Sequence, residues 1–143
     1  MEENNEFIND TDGNDSLKRA FPIIQEILNS FEKPINILEV GSGNGFQIEI
    51  IAKMENMASL KATDFHDYEK KFYEVLVEAS DDAVKNYVGD IDLLLLVCPP
   101  PNENYMDYYA IKEYELKQQS SPKYLIFVGE LGAGGWHLSI FNK

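Results

Sequence analysis

Three glycines at alternate positions follow a short apolar run and an acidic residue in the first third of the chain. Ile37–Val40, which contains Glu39, is followed directly by Gly41–Gly45. Glycine lets a backbone turn sharply and approach a ligand closely, and a helix that begins after such a turn offers free N–H groups and a positive dipole end. The segment therefore predicts a loop that binds a polar ligand, with a plain tight turn as the alternative. Its candidate binding residues are Glu39, Gly41, Ser42, Gly43, Asn44 and Gly45.

Two later apolar runs also end next to acidic residues. Asp64 ends the second run, nineteen residues after Gly45, and Phe65 follows it. The third run is followed by Asp81 and Asp82. Because the carboxyl ends of strands line the crevice of an open α/β sheet, these carboxylates are suited to accept hydrogen bonds from hydroxyl or amino groups of a ligand. Asp81 and Asp82 equally suit the N-terminal cap of the following helix.

The fourth apolar run ends in a cysteine and three prolines. Leu94–Val97 is followed by Cys98, Pro99, Pro100 and Pro101. Proline fixes φ, and the carbonyls around it lack local N–H partners, so this segment predicts a rigid strand end. A single cysteine forms no internal disulfide, and with two histidines it gives no recognisable thiolate or imidazole metal site. We therefore expect no metal.

The charge of the chain bears on its partners and its location. Its 143 residues carry 12 lysines and arginines against 25 acidic residues, a formal net charge of −13. This balance disfavours direct binding to nucleic acid, unless a basic partner contributes, and to anionic membranes. No apolar stretch approaches the ~20 residues of a membrane helix, and the acidic start is unlike a signal peptide. We expect a cytoplasmic domain at residues 17–143 after a disordered acidic tail at residues 1–16.

The remaining pattern alternates strands with helices, which is typical of a parallel sheet covered on both faces. A first helix is expected to become regular near Phe21, because Pro22 belongs in a first helical turn and Ser16 is a candidate cap. Strands are predicted at Ile35–Val40, Leu60–Asp64, Tyr73–Glu78, Asp92–Val97 and Tyr124–Gly129. Helices are predicted at Gly45–Met57, Tyr68–Phe72, Asp81–Tyr87 and Tyr105–Gln119, and Trp136–Phe141 is a candidate sixth, edge strand.

The Glu-x-Gly-x-Gly-x-Gly segment resembles the first motif of class I S-adenosylmethionine-dependent methyltransferases, and the resemblance extends from Ile35 to Gly129. It implies a minimal Rossmann-like, doubly wound, mostly parallel α/β sheet with strand order 3-2-1-4-5. It also implies that Gly41–Gly45 passes under the aminoacyl part of S-adenosylmethionine, with Glu39 near its ammonium group. Asp64 would bind the ribose hydroxyls beside Phe65, and Asp81, favoured over Asp82, would contact the adenine.

The cysteine–proline segment is similar to the fourth motif of amino-group methyltransferases. Cys98 stands where that motif has Asn or Asp, and Pro101 stands where it has an aromatic residue. The resemblance implies methyl transfer to an unidentified acceptor, with an amine-bearing small molecule or a protein favoured. A degenerate module that binds cofactor or a partner without catalysis is the first alternative, and an NAD(P)-binding fragment is the second. The residues expected to serve catalysis are Cys98, Pro99, Pro100 and Tyr105, with Tyr108 as an alternative source of the aromatic ring.

Overall fold

The computed structural model describes residues 14–97, 106–116 and 124–129. Helices and strands alternate through these residues, and a 3-10 turn at Val88–Asp90 extends the third helix. The helices are α1 (Asn14–Asn29), α2 (Phe46–Ile51), α3 (Ser80–Tyr87) and α4 (Met106–Leu116). The strands are β1 (Ile35–Val40), β2 (Met57–Asp64), β3 (Val75–Val77), β4 (Leu93–Val97) and β5 (Tyr124–Val128).

The five strands form one parallel sheet with the order β3-β2-β1-β4-β5. This arrangement confirms the predicted α/β Rossmann-like topology. β1 lies between β2 and β4, with Glu39 opposite Ala62 on one side and Leu95 on the other. The chain reverses its direction of travel along the sheet at β1, so the ends of β1 and its neighbours border the crevice in which such folds bind ligands.

Helices cover both faces of the sheet. On one face, Leu38 and Val40 of β1 pack with residues of α3 and α4. On the other face, Ile35 and Ile37 pack with residues of α1 and α2. Because successive side chains of a strand point to opposite faces, a strand that is covered on both sides is apolar almost throughout. The leucine-rich sequence of β4, which is buried along its whole length, follows from this geometry.

The first helix begins earlier than predicted. It starts at Asn14 and contains Pro22, so the expected regular start near Phe21 was wrong and Ser16 lies inside the helix. Proline removes one backbone hydrogen bond, but Ala20 and Phe21 before it are partly buried against the sheet and Ile24 and Leu28 after it are buried there, which stabilises the helix on both sides of Pro22. The rest of the predicted acidic tail, residues 1–13, lies outside the described residues.

Other boundaries differ because of contacts that are distant in sequence. The predicted short helix at Tyr68–Phe72 is absent, and the N–H of Phe72 instead donates to the carbonyl of Asn44 at 2.8 Å. β3 is shorter than predicted, and α2 ends at Ile51 rather than at Met57. Asn56 has a φ of 62° just before β2, and its amide donates to the carbonyls of Leu28 in α1 and of Phe31 after that helix.

None of the helices in the described ranges is long and apolar enough to cross a membrane. The predicted edge strand at Trp136–Phe141 lies outside those ranges.

Candidate functional site

The loop between β1 and α2 has the conformation that its glycines allow. Gly41, Gly43 and Gly45 have φ values of 71°, 61° and 85°. A Cβ at Gly41 would lie 2.5 Å from the Cε of Met106, and a Cβ at Gly45 would lie 2.9 Å from the backbone nitrogen of Tyr73. At Gly45 both the left-handed backbone and the close approach of the Tyr73 backbone require glycine, whereas at Gly41 the left-handed backbone favours glycine and the flexible end of Met106 can shift. Gly45 also forms the N-cap of α2.

Asp64 holds this loop against the end of β2. Its Oδ2 accepts a hydrogen bond from the N–H of Gly43, and its Oδ1 accepts one from the N–H of His66, both at 2.8 Å. The N–H of Ser42 donates to the carbonyl of Thr63 at 2.9 Å and adds a second link. Each carboxylate oxygen has a further lone pair, so Asp64 can bind the two backbone groups and still accept from a ligand hydroxyl.

Glu39 lies beneath the loop and is completely buried. Its Oε1 accepts a long hydrogen bond, 3.4 Å, from the Nε2 of Gln47, which also donates to the carbonyl of Ser42 at 3.2 Å. Its Oε2 has no hydrogen-bond partner among the described residues. Burial raises the pKa of Glu39 to about 8, although the Gln47 and Ser42 side chains act in the opposite direction, and the charge of Asp64 raises it further. Burial therefore favours the neutral form of Glu39 near pH 7.

A cleft of about 370 Å³ lies beyond Asp64, at the carboxyl ends of β2 and β3 and the start of α3. It combines apolar and polar surface, since Phe65 and Val77 are exposed apolar side chains and the other walls carry carboxyl and amide groups. Its lining residues are Phe65, Val77, Glu78, Ala79, Asp82 and Asn86.

The two consecutive acids of α3 have different surroundings. Asp82 lines the cleft, whereas Asp81 lies 3.7 Å from the Nζ of Lys85 in an ion pair on the same helix. Asp82 is thus the one of the two that lies at the cleft, and the expected adenine contact of Asp81 stays a prediction. Glu78 also lines the cleft, and its Oε1 accepts from the Nδ2 of Asn86 at 3.0 Å.

Sequence reasoning missed Glu78 and Asn86. Two signals in the sequence point to them, because Glu78 directly follows β3 and Asn86 lies four residues after Asp82 on the same helix. Residues four apart share a helix face, so Asn86 belongs with Asp82. A hydrogen bond with Glu78 raises the pKa of the neighbouring Tyr87.

The predicted acceptor-binding residues, Cys98, Pro99, Pro100 and Tyr105, lie outside the described residues. Tyr108, the alternative source of an aromatic ring, is partly buried against the α3–α4 core. Within the ranges that the structure describes, no group of three His, Cys, Asp or Glu side chains is placed to hold a metal ion.

We compared the chain with models of protein families, with curated proteins and with solved structures, and none of these comparisons gave a match. The geometry of the chain itself therefore carries the functional argument. The candidate site consists of the glycine loop (Gly41–Gly45), the Asp64 carboxylate that anchors it, the buried Glu39 carboxyl beneath it and the adjoining cleft.

Proposed function

We propose that this protein binds S-adenosylmethionine and transfers its methyl group to an acceptor that carries an amine, either a small molecule or a protein. One observation carries the cofactor part of the proposal. Asp64 fastens a loop with three left-handed glycines to the end of the neighbouring strand, directly beside a cleft of about 370 Å³. An extended ligand with a polar charged end and an aromatic end suits this arrangement.

The described residues fit the three parts of the cofactor. The aminoacyl end is assigned to the glycine loop, where the unpartnered Oε2 of Glu39 provides a buried acceptor beneath the backbone. The ribose is assigned to Asp64, whose unused lone pairs can accept from two vicinal hydroxyls. The adenine is assigned to the cleft, with Phe65 as its apolar contact and Asp82 as an acceptor for its amino group.

When bound, S-adenosylmethionine supplies a methyl group that its sulfonium has already activated. The chain then has to align the acceptor with that methyl group and exclude water, and positioning of this kind contributes roughly 7–11 kcal/mol in favourable cases. The Cys98–Pro100 segment follows β4, the neighbour of β1, and is the candidate for holding the acceptor. The excess of acidic residues favours an amine or a basic protein surface over bare nucleic acid.

A second candidate function is binding of the adenosyl ligand without turnover. Cys98 favours it, because a thiol is a weaker hydrogen-bond acceptor than the amide or carboxylate oxygen that amino-group methyltransferases use at the matching position. An NAD(P)-binding fragment is less well supported, because the third glycine comes one residue earlier than in the dinucleotide-binding pattern.

Thermal unfolding in the presence of four ligands tests the proposal. S-adenosylmethionine and S-adenosylhomocysteine at a hundred times their dissociation constants should each stabilise the protein by about 2.7 kcal/mol, a rise of several degrees in Tm. NAD and NADP at the same concentrations should give no comparable rise. Stabilisation by NAD or NADP alone would reject the proposal.

Two variants at acidic positions show whether the ligand occupies the expected site. Asp64→Ala should abolish the adenosyl-ligand shift, whereas Asp67→Asn, at an exposed aspartate three residues later, should retain it. Because Asp64 also anchors the loop, the unliganded Tm of each variant has to be measured first. Formation of S-adenosylhomocysteine with a panel of amine acceptors then separates a methyltransferase from a binding module.

A further inference from the structure

We propose that Glu39 is a proton-releasing group of this site. Binding of an adenosyl ligand that carries an ammonium group converts Glu39 from its neutral to its ionised form, and the proton passes to the solvent. Ligand affinity consequently increases with pH. This inference rests on the proposed function, since it requires the ammonium group to lie at the glycine loop.

The geometry provides the reason for a neutral acid in the free protein. Glu39 is completely buried in the middle strand of the sheet, and its carboxyl group accepts a long hydrogen bond from Gln47 and is assisted further only by the Ser42 side chain, while Oε2 has no partner among the described residues. A carboxylate needs several donors when it is buried, so two weak neutral donors leave the protonated form favoured. Burial accordingly raises the pKa of Glu39 to about 8.

None of the described residues around Glu39 carries a positive charge that would stabilise its ionised form. On β2, Asp64 is a carboxylate whose charge favours the neutral form of Glu39. On β4, the residue opposite is Leu95, and all of Leu93–Val97 is apolar. On α2, the contact is the neutral amide of Gln47, and in the loop it is the neutral side chain of Ser42. A positive group that settles on the loop would therefore be the first cation beside this carboxyl.

A cation at that position would favour the ionised form of Glu39 over the neutral form. An opposite charge close to a carboxyl lowers its pKa, and the free energy of this interaction appears as ligand affinity that depends on proton release. Below the pKa of the free protein, the affinity rises by at most tenfold for each pH unit. At pH 7 binding should release about one proton from Glu39.

Isothermal titration calorimetry measures this proton directly. S-adenosylhomocysteine is titrated into the full chain at pH 7 in buffers of different ionisation enthalpy, and the dependence of the heat on the buffer gives the number of protons exchanged. The same titration is repeated with Glu39→Gln, which keeps a similar shape but has no proton to release. Since the amino group of the ligand is common to both titrations, the difference between the two proteins isolates Glu39.

The proposal expects wild type to release about one proton more than Glu39→Gln. A second ligand, 5′-methylthioadenosine, has the adenosyl part without the ammonium group and should release none from wild type, which also tests the proposal without any substitution. Binding of S-adenosylhomocysteine with equal proton counts in the two proteins would overturn the proton-release proposal and leave the proposed function standing. Absence of any binding heat, with no thermal shift, would overturn both.

Discussion

Replacement of Glu39 by glutamine should stabilise the folded protein at pH 8 and have a much smaller effect near pH 5. The reason is that the folded state binds a proton on Glu39 that the unfolded state has already lost. The pKa of this carboxyl is about 8 in the folded protein, against an ordinary value of 4.5. Between these two values the wild-type protein must take up a proton in order to fold, and this requirement becomes more costly as the pH rises.

The size of the effect follows from the same two values. Each unit of difference between folded and unfolded pKa corresponds to about 1.4 kcal/mol, so the shift of Glu39 corresponds to at most about 5 kcal/mol. The contribution of the protonated carboxyl is fully present below pH 4.5 and is lost as the pH rises to about 8. The stability difference between Glu39→Gln and wild type should therefore increase by about 1.4 kcal/mol per pH unit across this window and become constant above it.

Urea denaturation at half-unit steps from pH 5 to pH 9 provides the assay, with the midpoint and slope recorded for each protein. Glu32→Gln is the matched control, because it also removes one acidic group but at an exposed position. A stability difference for Glu39→Gln that does not vary with pH would refute the assignment of a buried neutral acid. The same slope in Glu32→Gln would attribute the pH dependence to the overall charge of the chain.

Three further predictions test separate contacts. Gly41→Ala should lower the free energy of unfolding by about 1–2 kcal/mol or more, because residue 41 has a left-handed φ. Adding Met106→Ala should recover only the part that is due to the close contact between the new Cβ and the Met106 side chain. Denaturant titrations of both proteins measure the two effects. In calorimetric titrations with S-adenosylhomocysteine, Asp82→Ala should weaken binding more than Asp81→Ala, and the reverse order would place the adenine outside the cleft. Tyr114→Phe removes a buried hydroxyl that shares its one proton between the carbonyls of Tyr124 and Asp92, at 2.9 and 3.2 Å, so it should cost about 1–2 kcal/mol of stability. An unchanged urea midpoint would contradict this hydrogen bonding.

The order of helices and strands was predictable because the apolar runs in the sequence coincide with the segments that the fold buries. β1 ends at Val40 and β2 ends at Asp64, as predicted, since an apolar run stops there and a turn-forming or polar segment follows. Burial on both faces makes the sequence of such strands a nearly continuous apolar run, and this pattern indicates a parallel sheet that is covered on both faces. The same reasoning places the glycine loop, Gly41–Gly45, and Asp64 together at the carboxyl ends of the neighbouring strands β1 and β2.

The details that sequence reasoning missed depend on contacts between distant residues. Phe72 bonds to the carbonyl of Asn44, and this contact replaces the short helix expected before β3. Pro22 is tolerated inside α1 because the helix packs against the sheet on both sides of it. Neither effect is visible in a local window of the sequence, where propensity and spacing are the available signals.

The protonation state of Glu39 was also not predictable from its position in the motif. An acidic residue at a strand end suggests a carboxylate facing a ligand, but its charge depends on how many donors surround it. Those donors belong to other parts of the chain, and here they are the amide of Gln47 and the side chain of Ser42. The division of roles between Asp81 and Asp82 likewise depends on the rotation of α3, which places one at Lys85 and the other at the cleft.

The most direct test of the central claim is a titration of the isotope-labelled protein with S-adenosylhomocysteine, followed through its backbone amide signals in NMR spectra. The largest changes are expected at Gly41–Gly45, at Phe65 and at Asp82, and Asp64→Ala should remove them. Unchanged signals at Gly41–Gly45, or changes confined to another part of the protein, would contradict the proposed site.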